Sequence, residues 1–191
     1  VCPLRALLNN LEPRLQTYAE WLGRRAELWH GDTTQGRRQG ILKNPPDVLL
    51  TTPESLEAML VSTKVNPREH FANVRAIVVD EVHAFAADDR GWHLLAVLER
   101  LEKLAGHPIQ RIGLSATVGN PDDLLHWLQG SGAGTRPSTV VAPDLVTNGG
   151  RPPGDVTLDH VGSLSNAAKV IAMLHAGEKR LVFCESRREV E

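Results

Sequence analysis

The stretch Ala76-Ile77-Val78-Val79-Asp80-Glu81-Val82-His83 decides the fold of this chain. Its first four residues are apolar and mostly β-branched, which is typical of a parallel strand covered on both faces. Asp80 and Glu81 follow directly, and charges at the edge of a core need a partner, a metal ion or a chemical role. Because ligands of open α/β sheets bind beyond the carboxyl ends of the strands, the two carboxylates predict a ligand site there. A strand that simply ends in a charged turn is the alternative interpretation.

The composition is that of an ordinary soluble globular chain. Its 191 residues are 41% hydrophobic and 23% charged, enough for one domain and part of another. The net charge of -2 argues against a basic tail but leaves room for a local nucleic-acid groove. The sequence has neither an apolar stretch long enough to span a membrane nor a secretory signal. Cys2 and Cys184 lack metal-ligand spacing, so we expect free thiols and a cytoplasmic location.

Strand-like and helix-like segments alternate along the chain. This order predicts an α/β fold with a mainly parallel sheet. Thr52 and Pro53 mark a helix start, with Thr as N-cap and Pro at the first helical position, and a Ser at position 165 is expected to cap a later helix. The sequence predicts strands at 47–51, 76–79, 111–115, 139–141 and 180–185, and helices at 10–22, 53–60, 92–105, 121–128, 165–177 and from 186 onward.

The domain organisation follows from the composition between these segments and from the two ends of the chain. Residues 148–154, Asn-Gly-Gly-Arg-Pro-Pro-Gly, have the composition of a linker. Residues 1–4 are interpreted as the end of a strand, and residues 186–189 form a capping box near the other terminus. We therefore expect a segment of a longer protein, incomplete at both ends. The expected parts are a first domain at 1–143, a linker at 144–158 and the beginning of a second domain at 159–191.

Further short motifs follow other strand ends in a consistent order. Ser115-Ala116-Thr117 follows one strand, Thr51-Thr52-Pro53-Glu54 joins a strand to a helix, and Pro3-Leu4-Arg5 follows the first strand remnant. Together with the acidic box, Asp80-Glu81-Val82-His83, these motifs resemble superfamily-2 DExH-box helicases.

Longer strings narrow the resemblance. His30-Gly31-Asp32-Thr33, Asn44-Pro45-Pro46-Asp47 and Arg111-Ile112-Gly113-Leu114-Ser115-Ala116-Thr117 are similar to the Lhr-type (large helicase-related) group. The resemblance implies a RecA-like parallel sheet with flanking helices, followed by the start of a second RecA-like domain. It also implies ATP-dependent helicase activity, with ATP and Mg²⁺ as the ligands of the acidic box.

The resemblance assigns roles to individual residues of the acidic box. Asp80 would hold Mg²⁺ through water, since a carboxylate suits a hard cation that keeps its hydration shell. Glu81 would orient and deprotonate the attacking water. His83 would link the acidic box to the loop after the next strand. The residues of that loop, expected to couple nucleotide state to domain movement, are Ser115, Ala116 and Thr117.

The resemblance also assigns three loops to nucleic acid. Arg5 would supply a cation, Thr51 and Thr52 hydroxyls, and the helix after Pro53 its positive end to the phosphates of one strand. Such contacts hold the backbone without reading its sequence. The implied partner is single-stranded or partly duplex DNA, with RNA or an RNA–DNA hybrid left open. No membrane is expected, and protein partners are unknown at this point. The residues concerned are Pro3, Leu4, Arg5, Gly31, Asp32, Thr33, Thr51, Thr52, Pro53 and Glu54.

One motif of such helicases does not occur in the 191 residues: the phosphate-cradling loop Gly-x-x-x-x-Gly-Lys-Ser/Thr. We therefore expect the isolated chain to be inactive, although its relatives would be ATP hydrolases. A non-catalytic product that binds nucleic acid or a protein is the alternative. A third interpretation is a metal hydrolase that uses Asp80, Glu81, His83 and His93, although no metal-ligand spacing supports it.

Overall fold

The chain divides into two compact units, Val1–Val141 and Ala142–Glu191. The computed structural model describes residues 1–86, 88–116, 118–141, 158, 160–174, 176–177, 179 and 182. All strands assigned among these residues lie in the first unit.

Helices and short strands alternate through the first unit, which confirms the predicted α/β fold. A 3₁₀ turn at Gly130–Gly132 follows its last helix. The strands are β1 (Ala26–Trp29), β2 (Val48–Thr51), β3 (Ala76–Val79) and β4 (Gln110–Gly113). The helices are α1 (Arg5–Trp21), α2 (Gln35–Lys43), α3 (Pro53–Val61), α4 (Pro67–Phe71), α5 (His83–Ala86), α6 (Asp89–Ala105) and α7 (Pro121–Gln129).

The strands pair in parallel, β1 with β2 and β3 with β4. Val1 and Cys2 lie between the two pairs at their carboxyl ends. The Cys2 N–H donates to the Thr51 carbonyl at 3.1 Å, and the Asp80 N–H donates to the Val1 carbonyl at 2.8 Å. The structure assigns no strand to residues 1–4, but the main chain of their first two residues bonds to both pairs as a strand would.

β3 is buried on one face. Ile77 and Val79 are buried, whereas Ala76 and Val78 are exposed, and 41% of Val78 is accessible. The prediction that this strand is covered on both faces is therefore wrong. The physical reason is that helices such as α6 pack against one side, and no described element covers the other. The buried partners of Ile77 and Val79 in the core include Val82, Phe85, Leu94, Val97, Leu98 and Leu101.

Two predicted helices begin with a side-chain N-cap, one of which the sequence predicted. Helix α3 starts at Pro53, and the Thr52 hydroxyl accepts a hydrogen bond from the Ser55 N–H at 3.3 Å, as predicted. Helix α6 starts three residues before the predicted position, because the Asp88 carboxylate accepts the Arg90 N–H at 2.8 Å and caps it there.

Other boundaries differ from the prediction. Helix α1 starts at Arg5 rather than near position 10, and its N-cap, Leu4, makes no side-chain bond that could have marked the start. Leu22 ends the helix and is 77% exposed. The strand predicted at 139–141 is absent from this described segment, since its residues pair with no described strand and Val141 is 91% exposed.

The described part of the second unit contains one helix, α8 (Leu164–Met173). Its N-cap is Ser163 rather than the predicted Ser165, because the Ser163 hydroxyl accepts the Asn166 N–H at 3.2 Å. Three predicted segments lie outside the described residues: the linker at 148–154, the strand at 180–185 apart from position 182, and the helix from 186. Within the described ranges, no helix is both long enough and apolar enough to cross a bilayer.

Candidate active site and nucleic-acid interface

The acidic box lies directly after β3 and is fixed by the segment that follows β4. The Leu114 N–H donates to the Val79 carbonyl at 2.8 Å, and the Val82 N–H donates back to the Leu114 carbonyl at 2.9 Å. Val82 is 2% exposed and anchors the box in the core. Asp80 and Glu81, which directly precede this anchor, stay partly accessible to solvent.

Glu81 has a backbone conformation that is rare for its residue type. Its φ is +49°, which makes it the one described non-glycine residue with a positive φ. A side chain in this region costs about 1–2 kcal/mol, and such strain clusters at functional sites. The strained turn is supported locally, because the Asp80 carboxylate accepts the Glu81 N–H at 3.0 Å. The turn therefore presents two adjacent carboxylates at a strand end.

The structure brings His83 to the loop after β4. His83 Nδ1 lies 2.7 Å from the Ser115 hydroxyl and 3.5 Å from a carboxylate oxygen of Glu81. The acidic box and the Ser-Ala-Thr string thus meet at one imidazole, as the resemblance implied. Ala116 is exposed beside this contact, and Thr117 lies outside the described residues.

Cys2 is a neighbour of Asp80 that sequence reasoning did not connect to the site. Its Sγ lies 3.6 Å from Asp80 Oδ2, and the residue is 3% exposed. Burial, together with the nearby Asp80 charge, raises the pKa of the Cys2 thiol to about 11. The thiol is therefore protonated at neutral pH, and it covers one side of the Asp80 carboxylate without adding a charge.

The donor set of the acidic box fits a hydrated Mg²⁺ ion. Asp80 offers carboxylate oxygens, the ligand type that this cation prefers, at an edge that is open to solvent. The main-chain N–H on Oδ1 and the thiol near Oδ2 orient the group without neutralising it. The residues present are thus compatible with a metal that is held through water.

The described residues give no support to the metal-hydrolase interpretation. Among the residues that the structure describes, no three His, Cys, Asp or Glu side chains come close enough together to hold a metal ion. His93, which that interpretation needs, lies on α6 with its Nε2 4.0 Å from a carboxylate oxygen of Glu57.

Two of the predicted nucleic-acid loops contact one another. Arg5 Nη1 lies 2.9 and 3.0 Å from the two carboxylate oxygens of Asp32. A Cβ on Gly31 would lie 2.7 Å from Arg5 Nη2, so glycine lets the guanidinium lie over the loop. The charge of Arg5 is thus already paired, and Arg5 joins the loops in addition to any contact with phosphate.

The loop at residues 30–33 rests on a buried histidine. His30 is 5% exposed, its Nδ1 accepts the Asp32 N–H at 3.1 Å, and its Nε2 lies 2.9 Å from Asn9 Oδ1. An acceptor at Nδ1 places the proton on Nε2, which donates to Asn9. Arg38 Nη2 adds bonds to the His30 and Gly31 carbonyls, each 2.9 Å long. Sequence reasoning did not identify Asn9 or Arg38 as supports, because neither belongs to a motif.

The hydroxyls of the third loop are occupied inside the protein. Thr51 and Thr52 are 3% and 5% exposed, and Thr52 Oγ1 both caps α3 and bonds Ser55 Oγ at 3.1 Å. Pro53 is also buried, and Glu54 is exposed. This loop therefore offers a ligand its main chain at the start of α3 rather than free threonine hydroxyls.

Arg90 connects the first and third loops and belongs to no motif singled out in the sequence. Its Nη2 donates to the Pro3 carbonyl at 3.0 Å and to Glu54 Oε1 at 2.7 Å, and its Nε donates to the same oxygen at 3.0 Å. Burial alone would raise the pKa of Glu54, but its own N–H, Arg90 and Thr52 together lower it below the ordinary value. The carboxylate is therefore ionised and paired at neutral pH.

Comparisons with known proteins agree with this geometry. A family model described as DEAD/DEAH box helicase matches residues 1–124. The chain is 37% identical over 216 positions to "Lhr helicase/ probable uracil glycosylase" of Mycolicibacterium smegmatis, which covers 100% of this chain. It is 39% identical over 152 positions to "ATP-dependent helicase Lhr-Core" of Methanothermobacter thermautotrophicus, which covers 74% of this chain.

A solved structure gives the same result. The structure of Mycobacterium smegmatis helicase Lhr bound to ssDNA and AMP-PNP matches with a TM-score of 0.63 and 43% identity over 74% of this chain. The likeness confirms the expected RecA-like fold. This chain spans 13% and 17% of the lengths of the two relatives and 19% of the chain in the solved structure. The chain belongs to the DEAD/DEAH box helicase family, and Lhr helicases are among its relatives in that family.

Proposed function

We propose that this chain supplies the acidic box and the nucleic-acid loops of an ATP-driven motor that moves on single-stranded DNA. The observation that carries the proposal is the acidic box, where Glu81 has a φ of +49° and His83 bonds Ser115 across the strand ends. Two relatives support it, one named an ATP-dependent helicase and the other solved with ssDNA and AMP-PNP, an analogue of ATP.

Glu81 is the group proposed to accept a proton from the attacking water. Its carboxylate is 40% exposed, so water reaches it, and its backbone is fixed by the bond from its N–H to Asp80. A fixed carboxylate at the strand end can orient water for in-line attack on the terminal phosphate of ATP. His83 Nδ1, 3.5 Å away, limits the positions available to the carboxylate.

Asp80 is proposed to hold Mg²⁺ through water. The bound ion would neutralise charge on the transferring phosphate. Asp80 keeps its place because Oδ1 accepts the Glu81 N–H, and the raised pKa of Cys2 keeps a second negative charge away from Oδ2 at neutral pH. One carboxylate thus positions the cation, and its neighbour positions the water.

Three loops are proposed to hold the sugar–phosphate backbone of one DNA strand. They carry Pro3, Leu4 and Arg5, then Gly31, Asp32 and Thr33, then Thr51, Thr52, Pro53 and Glu54. The Arg5–Asp32 pair and the buried threonines favour binding through main-chain N–H groups and the start of α3. Binding of this type does not read the base sequence. RNA and RNA–DNA hybrids use the same phosphate chemistry and are outcomes of the test below.

The 191 residues are proposed to form the larger part of one RecA-like domain, at 1–143, a linker at 144–158 and the beginning of a second domain at 159–191. No Gly-x-x-x-x-Gly-Lys-Ser/Thr string occurs in this sequence, so the proposal includes that the isolated chain does not turn over ATP. A chain that binds nucleic acid without hydrolysis is the alternative that this same feature favours.

The test uses the full-length protein that contains this sequence. Phosphate release is measured with and without single-stranded DNA, RNA and an RNA–DNA hybrid. We expect DNA to stimulate turnover, and Glu81→Gln to reduce it by about 10³-fold or more while nucleotide binding persists. Asp80→Ala should instead weaken binding of the Mg²⁺–nucleotide complex.

A matched control is Glu20→Gln. Glu20 lies on the exposed side of α1, so Glu20→Gln makes the same substitution without touching the site. Near-normal turnover in Glu81→Gln, or an equal loss in Glu20→Gln, would refute the role given to Glu81. Nucleic-acid binding without any ATP turnover by the wild-type protein would favour the non-catalytic alternative.

A further inference from the structure

We propose that Arg90 is a positioning residue that couples the acidic box to the nucleic-acid loops, through its contacts with Pro3, Glu54 and Phe85. The proposal rests on the proposed motor function and adds the physical connection between its two ligand sites.

The first part of the connection lies between Arg90 and the loops. Its guanidinium donates to the Pro3 carbonyl at 3.0 Å, in the loop that leads into α1, and to the Glu54 carboxylate at 2.7 Å, at the start of α3. These partners are 87 and 36 residues away in sequence. One rigid, planar group therefore fixes the relative position of two loops that are expected to contact the same DNA strand.

The second part lies between Arg90 and the helix that contains His83. The Arg90 guanidinium carbon is 5.6 Å from the centroid of the Phe85 ring, and Phe85 is fully buried in α5. The next residue, Gly91, allows this approach, because a Cβ there would lie 2.0 Å from the Phe85 carbonyl oxygen. Arg90 is therefore held against α5, the helix that begins at His83.

The connection continues from α5 to the chemistry. His83 starts α5 and bonds Ser115 at 2.7 Å, while Glu81 precedes it by two residues and its carbonyl accepts the Ala84 N–H at 2.9 Å. A displacement of the loops by bound DNA thus reaches the acidic box through Arg90, Phe85 and the first turn of α5. Coupling between two sites requires such a contiguous set of contacts or a shared two-state element.

A role in fold stability explains the Arg90–Glu54 ion pair less well than a role in positioning. The side chains of Arg90 and Glu54 are 41% and 52% exposed, and ion pairs that are this accessible contribute little to folding. The chain offers a matched pair between the same two helices: Arg100 of α6 donates to Glu57 of α3 at 2.6 and 2.7 Å. Arg100 touches neither Phe85 nor the loops in any described contact.

The experiment compares Arg90→Ala with Arg100→Ala in the full-length protein. ATP turnover is measured without DNA and over a series of single-stranded DNA concentrations, up to saturation. For Arg90→Ala we expect the ratio of saturated to DNA-free turnover to fall about tenfold, the size of a typical coupling between sites. Arg100→Ala should keep the wild-type ratio and the wild-type turnover, although it removes an equivalent ion pair.

The salt dependence of DNA affinity separates positioning from direct phosphate contact. For a positioning residue, the slope of log affinity against log salt concentration should be the same in Arg90→Ala as in the wild type. A slope reduced by about 0.7, the value for one phosphate contact on a single strand, would overturn the proposal. A wild-type stimulation ratio in Arg90→Ala, reached only at higher DNA concentrations, would also overturn the proposal. Arg90 would then affect the affinity for DNA and not the coupling.

Arg90→Lys provides a second variant in case the alanine variant does not fold. Lysine keeps the charge but lacks the planar fork that reaches Pro3 and Glu54 together. We expect a stimulation ratio between those of the wild type and Arg90→Ala, and a wild-type ratio would overturn the proposal. If the wild-type protein shows no DNA-stimulated turnover, the motor function itself is wrong, and this outcome is distinct from a failure of Arg90 alone.

Discussion

His83 Nδ1 and the Ser115 hydroxyl, which are 32 residues apart in sequence, lie 2.7 Å apart at the ends of two paired strands. The contact exists because β3 and β4 pair in parallel and the pairing continues past both strands, through Leu114 and Val82. A bond between the acidic box and the neighbouring loop is therefore a direct result of the sheet register.

The first prediction concerns this contact. Ser115→Ala and His83→Ala should each lower the number of base pairs unwound per ATP hydrolysed, because each removes the link between box and loop. The double variant should be no worse than the more severe single variant, with a coupling energy of about 0.5–3 kcal/mol. Unwinding and phosphate release are measured on the same full-length preparations. Additive losses would mean that the two residues act separately.

The second prediction concerns the strained turn. Glu81→Gly should make the chain about 0.5–1 kcal/mol more stable than Glu81→Ala, because glycine adopts a φ of +49° without strain but loses more backbone entropy on folding. Urea denaturation of the two variants measures the difference. Both variants should lack ATP turnover in the full-length protein. Equal stability would show that the turn stores no strain.

The third prediction concerns a buried cation at the other end of β4. The Arg111 side chain is 4% exposed and its Nη2 contacts Glu99 at 2.8 Å and Glu102 at 3.0 Å. Arg111→Ala should cost about 3–5 kcal/mol of unfolding free energy, because it leaves carboxylates without their buried partner. The control is Arg24→Ala, which removes a pair with 65% and 41% exposed side chains and should cost about 0–1 kcal/mol.

The fourth prediction is the acid sensitivity of this cluster. Burial alone would raise the pKa of Glu99, but the Ser131 and Arg111 donors lower it below its ordinary value of 4.5. A lowered pKa in the folded state means that the stabilisation is complete above pH 4.5 and is lost as the pH falls through the folded value. Glu99→Gln should therefore flatten the dependence of stability on pH below 4.5. Denaturant titrations from pH 3 to pH 7 measure it, at about half-unit steps. If the unfolding free energies of the wild type and Glu99→Gln fall equally steeply with decreasing pH, the prediction is wrong.

The fifth prediction concerns the isolated 191-residue chain. It should release phosphate from ATP at least about 10³-fold more slowly than the full-length protein, with or without DNA, because the Gly-x-x-x-x-Gly-Lys-Ser/Thr loop does not occur in its sequence. A phosphate-release assay on the purified chain measures it. Robust turnover that disappears in Glu81→Gln would disprove this prediction.

The sequence predicted the elements whose signals are local. Thr52 and Pro53 identify the start of α3, and the leucines of α6 repeat at helical spacing, so both helices were found. The meeting of His83 with Ser115 was expected from the resemblance to helicases. The start of α1 was not found because Leu4 makes no side-chain cap.

Features that depend on distant partners could not be predicted. The apolar run of β3 does not reveal which of its faces is covered, and Val78 is 41% exposed. The threonines at 51 and 52 resemble phosphate ligands by type, but packing beside Cys2 and the cap of α3 bury them. The role of Arg90 depends on contacts 36 and 87 residues away, which no short motif contains.

Because Cys2 lies between the two strand pairs, the reactivity of its thiol reports how often the pairs separate. Its main chain bonds Thr51 on one side, its thiol lies 3.6 Å from Asp80 on the other, and its pKa of about 11 suppresses the reactive thiolate. An alkylating reagent can therefore modify it only when the pairs separate and the thiol reaches water. The rate of alkylation therefore measures how often the sheet opens beside Asp80, and a nucleotide or DNA strand bound at the proposed sites should lower that rate.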